Sequence, residues 1–413
     1  MTENTDVVVI GGGYAGVMAA NRLTRRDDVT VTLINPRSTF VERIRLHQLV
    51  GGSHDAVVDY GKVLSERVRL VVDTVTRIDA AGRSVTLATG GAVGYDYLVY
   101  AVGSGSADPQ VPGAAEFAYP IAGLEEAQRL RPVVDAAPAT AAVTVVGAGA
   151  TGIETAAELA VEGRTVTLVC GGVLGPSLHP RGRRSVAERL AGLGVTVLEG
   201  PDARVTAVTR DAVRLSGGRE LPSEVTIWTA GFGVPDLAAR SGLSTDALGR
   251  LLTDETLTSV DDVRIVAAGD SAAPSDLPFR MSCQAAVQLG PQAAETVLSR
   301  LAGEQPAAID VGFVSQCISL GRRAGVFQLT GRDDTAKGFH LGGRLGAKIK
   351  ELICRGIPWQ LAYEARKPGA RTWWAKDAKR RQLLQTKRRE APATAERAAE
   401  PGTRRALPRA QDA

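Results

Sequence analysis

Cysteine is scarce and scattered. Cys170, Cys283, Cys317 and Cys354 are the four in 413 residues, and no two form a C-x-x-C pair. A dithiol centre of the disulfide-reductase kind is thereby excluded unless distant cysteines meet in space, and free thiols in a reducing cytoplasm are expected. No metal site is expected. Aromatic residues are 4% of the chain, and no apolar run reaches the roughly 18 residues of a membrane span. The first residues, "MTENTDVVVI", carry an acid and no basic stretch before the apolar run, so they read as a strand and not as a signal peptide. The formal charge of +4 is too small to argue for a nucleic-acid binder. With 44% hydrophobic residues the chain can fill globular cores, and its length suggests two to three domains.

What the sequence does contain is one pattern used twice. "DVVVIGGGYAGVMAANRL" (6–23) returns as "AVTVVGAGATGIETAAEL" (142–159), each a β-branched run, then G-x-G-x-x-G, then a helical pattern. "VTVTLIN" (29–35) returns as "RTVTLVC" (164–170). Alternating strands with turns follow both, ending in "AVG" at Gly103 and "TAG" at Gly231. Two β-α-β units, each with an inserted β-meander, are therefore expected. In each, the first glycine (Gly11, Gly147) permits the tight turn, and the second (Gly13, Gly149) lets backbone approach a pyrophosphate. The third (Gly16, Gly152) lets helix and strand pack closely. The anion would rest on the helix N-terminus, at Tyr14 and Ala15 in the first copy and Ala150 in the second. Farther on, "IVAAGDSAAP" is a short strand ending at Gly269-Asp270, which aims Asp270 at ribityl and phosphate oxygens or caps the next helix.

Such sites usually place an acid after their second strand, to bind ribose hydroxyls. Asn35 and Cys170 stand there instead. Asn35 can still bond a ribose; Cys170 hardly can. Loss of the acid removes the repulsion of a 2′-phosphate, and Arg181, Arg183 and Arg184 follow closely, so whether the dinucleotide carries a 2′-phosphate stays open. Arg43, Arg45 and His47 alternate as on an extended segment facing one way, with Arg43 expected on the pyrophosphate and His47 expected to be structural. Two amides, Gln284 and Gln288, share one face of a helix in "MSCQAAVQLG". Beyond residue 310, "FVSQCISLGRRAGVFQLTG" reads as two strands around a glycine turn, and "GGRLGAKIKELICRGIPWQ" as a short helix ended by "GIP". A basic stretch with Trp373 and Trp374 then reads as an interfacial membrane contact over 371–389 or a solvated helix. Residues 390–413 should be disordered.

Taken together, "GGGYAG", "YDYLVYAVGS", "VVGAGATGIETAAEL", "IWTAGF", "AAGDSA" and "CQAAVQ" resemble the two-dinucleotide-binding flavoproteins. Within them, the type II NADH dehydrogenase and apoptosis-inducing-factor-like group is the most similar, over roughly residues 5 to 355. The resemblance implies FAD in the first site, NAD(P)H in the second and a quinone as electron acceptor. It matches Cys283 to Gln288 with an Ala-Gln-x-Ala-x-Gln motif under the flavin, so that Gln284 and Gln288 would donate to quinone carbonyls. It gives Glu154, taken as lying on the first turn of the second helix, a role in placing the nicotinamide and delivering protons.

The fold expected is α/β, two Rossmann-like dinucleotide-binding domains with inserted β-meanders and a C-terminal α+β part. The FAD-binding domain spans 1–120 and 255–310, the NAD(P)H-binding domain 121–254, and an acceptor-side region 311–389. FAD and NAD(P)H are the expected cofactors, a quinone-type acceptor the partner, and the cytoplasm or the inner face of the cell membrane the location. A homodimer is an expectation with no motif behind it. Two other functions compete: a soluble FAD/NAD(P)H oxidoreductase acting on a specialised metabolite, and, ranked last, a nucleic-acid-binding flavoprotein using the basic tail.

Overall fold

Two five-stranded parallel sheets form the body of the protein. The computed structural model describes residues 4–370, 376–377 and 379–387. In the first sheet the strand order is Ile265–Ala267, Tyr97–Tyr100, Thr5–Ile10, Val29–Asn35 and Val68–Val72. In the second it is Ala118–Pro120, Val225–Trp228, Ala142–Val146, Thr165–Val169 and Thr196–Leu198. Both central strands are apolar runs buried on both faces, as parallel strands covered by helices must be. The meanders are three-stranded antiparallel sheets, Val75–Asp79 with Ser84–Leu87 and Ala92–Gly94, and Val205–Val208 with Ala212–Leu215 and Glu220–Pro222. A short antiparallel pair, Gly105–Ser106 with Phe232–Gly233, ties one unit to the other. The doubled pattern of the sequence is thus a doubled architecture. The second sheet starts at Ala118, and Leu237, Ala238 and Leu251 already pack into the core beneath the first.

The C-terminal part follows expectation in its first two strands and departs from it in its helix. The stretch read as two strands around a glycine turn is Ser315–Ser319 and Gly325–Thr330 around Gly321, and a third strand, Ala336–Leu341, follows it. The following helix does not stop at "GIP": it runs from Gly343 to Arg366, through Pro358. Proline removes one N–H and leaves the Cys354 carbonyl a bond short, but tertiary packing carries the helix on. Ile357 and Leu361 are buried against the first glycine-loop helix, Asn21 donates to the Leu361 carbonyl, and buried Glu364 pairs with Arg22. A second departure, near the start of the chain, is Arg43, Arg45 and His47, which are not on an extended segment. A 3₁₀ turn, Arg43–Arg45, leads into a helix, Leu46–Val50. Helical turning sends Arg45 inward to Glu42 and Glu351 and His47 inward to Glu154, while Arg43 lines the first cleft. Trp373, Trp374 and residues 390–413 lie outside the described residues. Among those described, no helix is long and apolar enough to cross a membrane.

Candidate functional site

Each glycine loop sits where its strand ends, and the three glycines of each have distinct surroundings. Gly11 and Gly147 adopt φ of +102° and +134°, and a side chain there would collide with the Ala101 carbonyl or with Thr229. At Gly16 and Gly152 it would collide with the carbonyl of the first glycine of the same loop. At Gly13 and Gly149 nothing lies within 4 Å, so these backbones face open space. Neither helix that follows, Tyr14–Leu23 or Ala150–Val161, has a side-chain cap, which leaves first-turn N–H groups for an anion. Both loops therefore fit a pyrophosphate.

An open cleft of about 810 Å³ lies over the first loop, lined by Gly11, Gly13, Tyr14, Ala15, Asn35, Arg43, Gly103 and Asp270, with Ala286 from the helix Cys283–Leu301. Gly16 is beneath it, spent on packing. A smaller hollow over the second loop is lined by Thr151, Trp228, Thr229 and Gly231, and the two meet at Ala122, which lines both. Asn35 is tied inward: its Oδ1 accepts the Gly12 N–H at 2.9 Å and its Nδ2 donates to the Arg37 carbonyl at 2.8 Å. It fixes the loop and keeps a carbonyl lone pair for a ribose. Tyr60, which sequence reasoning missed, also lines the cleft and donates to the Gly12 carbonyl at 2.7 Å. Arg43 donates to Ser104 Oγ and to the Ala122 carbonyl; Ser104 donates to Asp270 Oδ2 at 2.7 Å, and Asp270 Oδ1 accepts the Ser282 N–H at 3.1 Å. Asp270 thus joins the cleft floor to the start of the Cys283 helix.

Glu154 is the fifth residue of its helix, past the first turn, and is buried away from both clefts. Its Oε1 receives Lys350 Nζ at 2.9 Å and the Ser319 N–H at 2.8 Å, and Oε2 lies 3.7 Å from His47 Nδ1. Burial alone would raise the Glu154 carboxyl, but Lys350 and its other neighbours hold it below its ordinary value. Burial opposes the charge on Lys350 too, yet Glu154 raises it well above a free lysine. His47 is pushed by burial down to about 4, against the pull of Glu154, and is neutral at neutral pH. Lys350 was not foreseen. The signal was there: Gly346, Lys350, Cys354, Ile357 and Leu361 fall on one helix face, a lysine inside an apolar stripe.

The glutamines address backbone. Gln288 Nε2 donates to the Gln284 carbonyl at 2.8 Å and to the Gly312 carbonyl at 3.1 Å, and its Oε1 is buried without a hydrogen-bond partner. The Gln284 amide donates to the Ser315 carbonyl at 3.2 Å and accepts the Val314 N–H at 3.3 Å. One turn beyond, Gln292 accepts the Asp310 N–H at 2.7 Å. Three amides at i, i+4 and i+8 therefore clasp the extended segment 310–315, and neither Gln284 nor Gln288 lines the cleft. Gln292, the third member, was legible from the same spacing but sat beyond the motif.

Cys170 ends its strand as expected, beside the loop Gly171–Gly175. Two of the three arginines behind it turn elsewhere. Arg183 donates to the Leu178 carbonyl, and Arg181 lies near Gly338 of the C-terminal sheet. All four cysteines are free.

Comparison with known proteins agrees with this geometry. Residues 5–295 match the family model for pyridine nucleotide-disulphide oxidoreductases. A NADH dehydrogenase-like protein of Mycobacterium tuberculosis is 32% identical over 354 residues, 78% of this chain and 87% of that protein. The type II NADH:quinone oxidoreductase of the same organism is 29% identical, covering 73% of this chain and 74% of its own. In fold, the chain is similar to the NDH2 of Plasmodium falciparum, solved with NADH (TM-score 0.73, 16% identity, 91% of this chain and 99% of that one). It is also similar to the sulfide:quinone oxidoreductase of Aquifex aeolicus (TM-score 0.74, 19% identity, 87% and 92%). With the two glycine loops, the two meeting clefts and these relatives, the chain belongs to the pyridine nucleotide-disulphide oxidoreductase family, on its NADH dehydrogenase-like side, and is an oxidoreductase.

Proposed function

We propose that the protein takes electrons from NAD(P)H at its second loop, through FAD at its first, and delivers them to a quinone-type acceptor. The observation that carries the reading is the meeting at Ala122 of the cleft over the first glycine loop and the hollow beside the second; the names of the relatives supply the acceptor class. When bound, the two cofactors supply the hydride chemistry. The residues of the chain orient them. Gly13 and Gly149 admit the pyrophosphates, and Asn35 and Tyr60 hold the first loop in shape. Arg43 offers a cation at the first cleft, while Asp270 sets the start of the helix whose Ala286 forms the floor. Gly103 and Gly231, at φ of +71° and +84°, turn the chain away so that no side chain fills the clefts.

Glu154 acts in this reading as half of a buried ion pair. Both partners stay charged through neutrality, so the pair sets the field at the acceptor side and fixes the C-terminal sheet there. Gln284 and Gln288 act by fixing segment 310–315, the wall an acceptor would meet. Contact with a membrane surface is supported by the helix Gly343–Arg366. Leu345, Leu352 and Trp359, seven residues apart, are 53%, 72% and 49% exposed, with Phe339 of the adjacent strand at 55%. Exposed Arg344, Lys348 and Arg355 flank that stripe, an arrangement suited to an anionic lipid interface. The test is anaerobic: reduce the FAD-loaded protein with NADH or NADPH, then mix it with short-chain quinones. Rapid reoxidation by quinones is expected. Reoxidation by oxygen or dyes but by no quinone would reject the acceptor.

A further inference from the structure

Cys170 stands where a dinucleotide site ordinarily carries its ribose-binding acid. Burial, with Glu199 nearby, pushes its thiol up to about 12, so it brings no charge to the site. The neighbouring strand Thr196–Leu198 runs parallel to Thr165–Val169, with Val169 opposite Leu198, and the Cys170 N–H donates to the Leu198 carbonyl at 2.8 Å. One step farther, Glu199 comes level with Cys170. Its side chain is fixed: the carboxylate accepts the Leu174 N–H at 2.6 Å. The Gly200 N–H donates to the Gly172 carbonyl at 2.8 Å, so the loop closing the Cys170 strand is tied to the Glu199–Gly200 turn from both sides.

We propose that Glu199, reaching across from the adjacent strand, replaces the missing acid and makes the second site select a nicotinamide nucleotide with a free 2′-hydroxyl over its 2′-phosphate. This rests on the second loop holding that nucleotide. One carboxylate oxygen is used by Leu174 and the other remains for a ribose hydroxyl, a charge-assisted bond that a 2′-phosphate would turn into repulsion. The cation nearest in the chain is Arg204, whose Cα would lie 3.6 Å from a side chain placed on Gly171. Its guanidinium would favour a 2′-phosphate, against Glu199, so the test separates the two residues. Arg183 donates to the Leu178 carbonyl, and Arg181 lies toward Gly338.

The test is calorimetric titration of the FAD-loaded protein with ADP-ribose and with 2′-phospho-ADP-ribose, which isolates this end of the nucleotide from flavin reduction. Wild type should bind ADP-ribose at least ten-fold more tightly. Glu199→Gln keeps the acceptor for Leu174 but loses the charge. It should weaken ADP-ribose about three- to ten-fold, strengthen the 2′-phosphate form about ten-fold, and leave flavin content and melting temperature unchanged. Glu199→Asp should retain the preference, and adding Arg204→Ala to Glu199→Gln should reverse the gain. A wild type that prefers the 2′-phosphate form, or a Glu199→Gln protein with both affinities unchanged, overturns the role of Glu199 alone. Failure of both ligands to bind wild type overturns the nucleotide assignment of the second loop as well.

Discussion

Replacing Lys350 by methionine tests the buried pair at its most exposed assumption, that each charge is there because of the other. Glu154 is 8% exposed and Lys350 13% exposed at the side chain. Methionine fills much of the lysine volume but leaves the carboxylate with the Ser319 N–H and a neutral His47. Breaking a buried pair from one side costs about 3–5 kcal/mol; the residual exposure of Lys350 argues for the lower end, about 3. Removing both charges, in Glu154→Gln with Lys350→Met, should recover most of that loss, since no charge is then stranded. Urea unfolding of the FAD-loaded proteins at pH 7.5 measures both.

The histidine gives a second, independent readout. In wild type, the unfolded chain protonates His47 at about 6.5, the folded protein only at about 4. Stability is therefore full above about pH 6.5 and falls as pH drops toward 4, because the unfolded state binds the proton first. The lowered Glu154 carboxyl acts in the same direction at lower pH still. Without Lys350, one of the charges holding His47 down is gone and the Glu154 carboxylate still attracts a proton. The His47 resonance should then titrate above 4, while burial, the largest cause of its lowering, still holds it below the ordinary value. The chain has four histidines, so His47→Gln assigns the signal. An unfolding midpoint unmoved by Lys350→Met, with His47 still titrating near 4, would refute the pair.

Other substitutions separate the two halves of the molecule. Gly13→Val should abolish FAD retention, while Gly149→Val should keep the yellow protein and remove nicotinamide binding, because each valine enters the open space over its own loop; the reverse outcome, read by absorbance and titration, would exchange the assignments. Gln288→Leu strands the Gly312 carbonyl and should cost about 1–3 kcal/mol. With Gln284→Leu, it should slow reoxidation by quinone roughly ten-fold while flavin reduction is unchanged in stopped flow, and equal reoxidation in folded variants would remove segment 310–315 from the acceptor side. Leu352→Glu with Trp359→Glu should prevent flotation with anionic vesicles without changing flavin reduction; flotation that persists would rule out the exposed stripe as the contact.

How far the sequence could be read depended on how local the determining physics was. The glycine loops were legible because their geometry is set within six residues: one turn, one approach, one packing contact, twice over. Parallel strands announced themselves as β-branched runs between those signals. The 43–47 segment misled because period-two charge alternation looks extended, whereas its turns are imposed by partners far along the chain, Glu154 and Glu351. The helix through Pro358 misled for the same reason: a local breaker is outvoted by Asn21 and Arg22, more than three hundred residues earlier.

The glutamine stripe shows where such reading stops. Spacing alone put Gln284 and Gln288 on one face, and the resemblance turned that face toward quinone carbonyls. What encloses it is segment 310–315, which bonds residues 330–332 through Phe313 and Val314 along one edge and, among the described residues, has no strand beside the other. Buried backbone of that kind must find donors and acceptors somewhere, and an amide supplies one of each at neutral charge. A row of three amides is therefore the side-chain substitute for a missing neighbouring strand. That requirement arises only once the chain has returned to cover the helix, so no window around "CQAAVQ" contains it. It also explains why Gln292, outside the motif, belongs to the same device.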